Sequence, residues 1–225
     1  IQLSAERLRR RYRGQITGDL ETFDRCVDTI IRQVGDIGAM VDEFSAFARM
    51  PAPRFAEHDA AELLRAAVFA QRVADPDVAI DIEGPKGDAT LVCDGRIVGQ
   101  ALANVLKNAS EAIAARRALS PGLAGGIRAR LAIQGDTLAF EIQDNGVGLP
   151  PKDRDRLTEP YVTTREKGTG LGLAIVKRIL EDHGGRLDLH DATPPPGACV
   201  VLAFPYSHPS PQAAQTNADG RKVRA

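Results

Sequence analysis

Asp144-Asn145-Gly146-Val147-Gly148 and Gly168-Thr169-Gly170-Leu171-Gly172 are the two stretches whose residue types and spacing could do chemistry. Glycine lets a backbone approach a ligand closely and take positive φ without penalty. The second cluster runs straight into an apolar helix beginning near Leu171, whose N-terminus would offer N–H groups and a positive dipole end to phosphate. Asp144 could accept a hydrogen bond from an amino group such as the exocyclic amine of adenine. A charged segment of about twenty residues separates the clusters, a length usually kept for functional loops. Taken singly, either cluster also reads as a surface turn, because turns collect Gly, Asn and Asp. Taken together with the segment between them, they point to a nucleotide pocket with a hinged lid. Two common phosphate signatures are excluded: no Walker A run occurs, and G-x-G-x-x-G would need glycine at Leu173.

The helix expected over 96–118 has to position the other half of such a pocket. Val98, Ala101, Leu102, Val105, Ala109 and Ile113 give it one apolar face. Gln100, Asn104, Asn108, Glu111 and Ala115 form a second line at steps of four and three. Asn is a poor residue in mid-helix because its side chain competes for backbone groups. The row reads either as a solvated face or as neutral oxygen ligands toward a triphosphate and its Mg²⁺. Magnesium takes only one or two protein oxygens, so one Asn could suffice.

Before this helix, residues 1–13 read as a polar helix interrupted by Gly14 and Gly18. Leu20, Phe23, Val27, Ile30, Val34, Ile37, Val41 and Phe44 then alternate spacings of three and four, as in a bundle seam. A lone helix cannot bury that stripe, so a dimer forming a four-helix bundle is the economical solution; one long core helix within a monomer is the alternative. Met50-Pro51-Ala52-Pro53 ends the helix, and 51–58 reads as a linker. Asp59 with Glu62 resembles a capping box ahead of a helix running to about Val73. Strands are expected at 78–82 and 90–93, a hairpin at 127–142, a helix over 171–183 stopped by Gly184, and last strands at 186–190 and 198–204. From 207 to 225 the chain has no periodicity and is expected to be disordered.

An apolar share of 43% and a charged share of 26% are ordinary for a globular protein. A formal charge of −1 gives no electrostatic case for nucleic acid or an anionic membrane. Cys26, Cys93 and Cys199 have neither metal-ligand spacing nor a disulfide framework. No apolar run approaches a membrane span and no signal peptide is present, so a cytoplasmic fragment without membrane contact is expected.

Gln100-x₃-Asn104-x₃-Asn108 resembles an N box, and the two glycine clusters resemble the two G boxes, of the ATP-binding domain of sensor histidine kinases. These kinases lie within the gyrase, kinase and MutL ATPase superfamily. The resemblance covers 54–206, and the helices at 1–50 are similar to the dimerisation and phosphotransfer helices that precede such a domain. Glu159-Pro-Tyr-Val-Thr-Thr-Arg165, leading into the second cluster, is most similar to nitrogen-regulation kinases of the NtrY and NtrB type. The fold implied is α+β: an N-terminal helical hairpin, then a two-layer α/β sandwich of the Bergerat type with a mixed sheet on three helices over 59–206.

The resemblance implies ATP and Mg²⁺ as cofactors and γ-phosphoryl transfer to a histidine, then to an aspartate of an NtrX- or NtrC-like response regulator. It implies a homodimer, in the cytosolic part of a membrane-anchored bacterial sensor. Asp144 would bind the adenine amino group, with Gly146 and Gly148 shaping that end. Asn108 would coordinate Mg²⁺, with Asn104 beside it. Gly168, Gly170 and Gly172 would let the lid fold over the triphosphate. Glu111, Thr163, Thr164, Thr169, Leu171 and Leu173 would complete the nucleotide site. Arg165 and Lys167 are candidate phosphate partners, or else solvated lid charges; Lys167 joins Asn104 and Asn108 as the implied catalytic set.

Two departures from the family pattern matter. Gln100 stands where hydrolytic relatives carry a water-activating Glu, and a neutral amide is a poor base. That favours a kinase over a hydrolytic ATPase of the same fold; a nucleotide-binding interaction module without turnover stays open as an alternative. Thr158 stands where the lid usually has Phe. None of His58, His183, His190 and His208 sits in a phosphoacceptor context, so the chain is expected to bind ATP without phosphorylating itself at the usual site.

Overall fold

The computed structural model describes residues 1–48, 50–85, 89–163 and 168–207, without the side chains at 39, 42, 43, 46 and 47. It divides into two compact units, one of Ile1–Pro51 with Tyr161–Leu171, the other of Ala52–Pro160 with the chain from Gly172 onward.

In the first unit, helix α1 (Gln2–Tyr12) and a 3-10 turn (Arg13–Gln15) lead to α2 (Leu20–Ala48). The break falls at Gly14 to Gly18, where glycine weakens helix propagation. Arg9 pairs with Asp28 at 2.6 Å and Arg13 with Asp24 at 3.0 Å, zipping α1 along the first half of α2. Exposed pairs of this kind stabilise little, by about 0–1 kcal/mol; apolar burial has to do the rest. Ala5 and Val27 are buried between the helices, but the seam is uncovered beyond them: Ile30, Ile37, Val41 and Phe44 are all exposed. Tyr161 stacks on Phe44 with ring centroids 6.4 Å apart. The Tyr161–Leu171 segment, expected within the 59–206 domain, falls in the same compact unit as these helices.

The second unit begins with a correction. Residues 51–58 are not wholly linker, because Ala56–Asp59 is a strand, β1, antiparallel to β3 (Thr90–Cys93). Asp59 then caps α3 (Ala60–Ala74), accepting from the N–H groups of Ala61 at 2.8 Å and Glu62 at 3.4 Å. Strand β2 (Ala79–Glu83) precedes β3, and α4 (Gly95–Leu119) follows it. The hairpin of β4 (Gly126–Gln134) and β5 (Thr137–Asp144) comes next, then α5 (Gly172–Asp182), β6 (Arg186–Asp191) and β7 (Ala198–Pro205). The main sheet has the order β2-β4-β5-β7-β6 and is mixed, since β2 runs parallel to β4 and the other neighbours are antiparallel.

Helices α3, α4 and α5 supply the second layer. Leu64 and Val68 of α3, Leu102, Val105, Leu106 and Ile113 of α4, and Val176, Ile179 and Leu180 of α5 are at most 1% exposed. Leu138, Phe140 and Ile142 of β5 and Leu202 and Phe204 of β7 face them, with the rings of Phe140 and Phe204 edge to face at 5.9 Å. This aliphatic core fixes α4 on β5, and so fixes the polar row of one relative to the end of the other. Cys93 is buried and its thiol is pushed up to about 11 by burial and by the neighbouring Asp94 charge. It is a core residue and no nucleophile. His208 and the tail from 208 to 225, expected to be disordered, lie outside the described residues. No described helix is long and apolar enough to cross a membrane.

Candidate functional site

Helix α4 is anchored before it carries anything. Asp94 is its N-cap, with Oδ1 accepting from the N–H groups of Arg96 (3.2 Å) and Ile97 (3.3 Å). Oδ2 accepts from Arg54 N–H at 3.0 Å, which ties down the chain entering the second unit. Asp94 N–H donates to Nε2 of His183 at 3.1 Å, while Nδ1 of His183 lies 2.7 Å from the Ile179 carbonyl. That arrangement places the ring proton on Nδ1. Phe55 and Phe204 both meet the His183 ring edge to face. Neither the Asp94 cap nor the His183 bond was read from the sequence, although an Asp just ahead of a helical pattern is a recognised start signal.

Burial works to raise the Asp94 carboxyl. The N–H groups of Arg54 and Ile97 and the nearby Arg96 charge outweigh it and hold the group below its ordinary 3.8. A carboxyl lowered on folding contributes stability that is present above its unfolded value and lost as pH falls through the folded one. Asp94→Asn should accordingly melt below the parent at neutral pH, with the difference shrinking as pH falls under 3.8. Thermal midpoints measured from pH 7 down to about 3 check this; a constant difference would show that the charge at Asp94 is irrelevant.

Asn104 and Asn108 are half-buried one turn apart on α4, and Gln100 is exposed. Glu111 reaches Lys107 at 4.0 Å on the exposed side. The start of α5 comes up against Asn108: a Cβ added at Gly172 would lie 3.7 Å from Asn108 Nδ2 and 3.9 Å from its Oδ1. Tertiary packing thus brings a neutral amide and a helix N-terminus together, an arrangement suited to phosphate and a hard cation. Leu173 lies in the first turn of the same helix.

At the end of β5, Asp144 is 5% exposed. Its Oδ1 accepts from Gly146 N–H at 2.8 Å and from Ala198 N–H at 3.4 Å. Gly146 packs on α4 so closely that a Cβ would sit 2.5 Å from the Ala112 carbonyl carbon, and Val147 N–H donates to the Ala112 oxygen at 3.2 Å. Gly148 has φ +82, with the Gly197 carbonyl 3.1 Å from where its Cβ would be. Gly197 in turn lies against the Asp144 carbonyl. No motif in the sequence marks this seat of Gly197 under Asp144. Beyond the cluster, Arg154 forms a bidentate pair with Asp191 at 2.8 and 2.9 Å, which anchors the following loop to β6 and lowers the Asp191 carboxyl. Thr158 closes the 3-10 turn Arg154–Thr158.

The structure therefore brings Asn104, Asn108, Asp144, Gly146, Gly148, Gly172 and Leu173 into the second unit, on α4 and the chain packed against it. Thr163, Gly168, Thr169, Gly170 and Leu171 belong to the first unit. There Tyr161 N–H donates to the Gly170 carbonyl at 3.2 Å and Leu171 N–H to Thr169 Oγ1 at 3.3 Å; Gly170 takes φ +70. Thr164, Arg165 and Lys167 lie outside the described residues. Among the histidines, His58 packs over Gly95 from β1, His183 is buried as described, and His190 is exposed on β6.

The profile of the histidine kinase-, DNA gyrase B- and HSP90-like ATPase family matches residues 93–208. The chain is 53% identical over 211 residues to the nitrogen regulation protein NtrY of Azorhizobium caulinodans, covering 93% of this chain and 27% of that protein. It thus spans about a quarter of that relative's length. The mycobacterial sensor histidine kinase MprB matches 68% of this chain and 97% of its own, with 29% identity and a TM-score of 0.57. Full-length ShkA, solved in complex with AMPPNP, matches 85% of this chain and 40% of its own, with 28% identity and a TM-score of 0.64.

Proposed function

The chain belongs to the sensor histidine kinases of the NtrY type and contains their ATPase domain, and we propose that this domain binds Mg-ATP for transfer of the γ-phosphoryl group to a histidine. A histidine ring nitrogen would attack the γ-phosphorus while the bond to the β–γ bridging oxygen breaks, its electron pair leaving with ADP. From the histidine the group would pass to an aspartate of a response regulator of the NtrX or NtrC kind. In such transfers the protein mainly positions groups and offsets charge.

One observation carries this reading: α4 holds Asn108 beside the start of α5 and, one turn on, packs the loop of Asp144 onto Ala112. Asp144 would accept from the adenine amino group, with Gly146 and Gly148 leaving room for the ring. Asn108, with Asn104 beside it and Glu111 one turn on, would face the phosphates and magnesium. The donor set fits magnesium, a hard cation that takes most of its ligands from phosphate and water. Bound magnesium would offset charge on the β- and γ-phosphates. The segment Thr163 to Gly172, with Arg165 and Lys167, is assigned to the phosphates from its sequence pattern. AMPPNP in the ShkA complex supports a nucleotide at this fold.

Calorimetric titration with an ATP analogue, with and without Mg²⁺, tests the reading. The parent should bind, with affinity raised by magnesium; Asn108→Ala should lose about tenfold in the presence of magnesium and little in its absence. A parent that binds no nucleotide would leave an interaction module as the better description. The exposed seam of α2 favours a second copy completing a four-helix bundle. Sedimentation equilibrium should then give twice the 24.1 kDa chain mass, and a monomer at all concentrations would refute the dimer. Such a dimer would be the cytosolic portion of a membrane-anchored sensor.

A further inference from the structure

We propose that Asn145 and Arg116 are positioning residues that set the Asp144 carboxylate against a purine amino group; this rests on the assignment of Asp144 made above. Asn145 follows Asp144 directly, and all four of its polar groups are engaged. Its Oδ1 accepts from Gly126 N–H at 2.9 Å, and Nδ2 donates to the Ala124 carbonyl at 2.9 Å. Its backbone N–H donates to the Gly126 carbonyl at 3.2 Å, and its own carbonyl accepts from Nη1 of Arg116 at 2.6 Å. Three separate segments are thereby joined at the residue next to the carboxylate: the end of α4, the loop at Ala124 and the start of β4.

The geometry of α4 gives this latch its meaning. Asn108, Ala112 and Arg116 follow one another at steps of four along one side of the helix. Asn108 neighbours the start of α5, Ala112 receives Val147 N–H, and Arg116 holds the Asn145 carbonyl. At 1.5 Å per residue, Asn108 and Arg116 are about 12 Å apart along the axis. The helix therefore acts as a ruler between a phosphate end and a purine end. Arg116 pins the purine end to it, and the Asn145 side chain stops the Asp144 peptide from rotating. A charge-assisted bond to a buried carboxylate depends steeply on alignment, so loosening the peptide should first cost selectivity for the amino group.

The test compares Kd for Mg-ATP with Kd for Mg-purine riboside triphosphate, which lacks the 6-amino group, together with thermal midpoints. Asn145→Ala and Arg116→Met should each reduce the preference for ATP about tenfold, mainly through weaker ATP binding. Arg116→Lys, which keeps a donor, should restore part of it. Arg117→Met is the control: Arg117 bonds the Leu123 and Asp77 carbonyls at 3.2 and 2.8 Å and holds the same connection without touching Asn145. It should lower the midpoint and leave the preference unchanged. Should Asn145→Ala not fold, Asn145→Asp keeps the acceptor for Gly126 and sets an oxygen against the Ala124 carbonyl. Variants that melt earlier yet keep the parent's preference would overturn the latch alone. A parent that binds both nucleotides equally would remove Asp144 from the purine and the latch with it.

Discussion

Replacing Asp144 by Asn is expected to weaken Mg-ATP binding about a hundredfold while moving the thermal midpoint by only a few degrees. The amide keeps one oxygen to accept from the Gly146 and Ala198 N–H groups, so the loop retains its internal bonds. It puts an NH₂ where a carboxylate oxygen stood and removes the charge, so an adenine amine would meet a donor in place of an acceptor. Asp144→Ala should lose the same affinity and also stability, because two backbone donors lose their partner at a site only 5% exposed. Calorimetry and a melting curve on the two variants separate these effects. Binding by Asp144→Asn within about threefold of the parent would refute the role assigned to the carboxylate.

Gly146→Ala is expected to be the most damaging single methyl in the second unit. Its Cβ would lie 2.5 Å from the Ala112 carbonyl carbon and 2.8 Å from the oxygen, and both belong to the backbone of a helix packed on the sheet. A flexible neighbour could step aside; a helix backbone in a close-packed layer cannot do so without moving α4. We expect a loss of about 3 kcal/mol or more, seen as a midpoint lower by roughly 6–12 °C. Nucleotide affinity should fall with it, because Val147 N–H loses the Ala112 oxygen and the Asp144 loop lifts. Gly99→Ala on the same helix is the comparison: nothing lies within 4 Å of its added Cβ, so helix propensity should leave it neutral or raise stability by about 0.5–1 kcal/mol. Equal midpoints for the two variants would mean that the loop does not rest on α4.

The amino-acid sequence determined by itself whatever is governed by local periodicity and residue chemistry. The apolar faces of α2 and α4, the β4–β5 hairpin, the Asp59 cap and the Gly184 stop all have short-range causes, and each lies where the pattern puts it. Asp144 at a strand end and Asn108 on a polar helical row were legible for the same reason. β1 was not, because Ala-Glu-His-Asp has no apolar alternation and becomes a strand only through β3, whose partner residues lie 31 to 37 positions on. Nor were the bonds of Asn145, the seat of Gly197 under Asp144, or the grip of His183 on Asp94 across 89 residues. Apart from the Arg116 guanidinium, those partners are backbone N–H and C=O groups, which no sequence pattern marks. Only the closing of the sheet against three helices decides which of them meet.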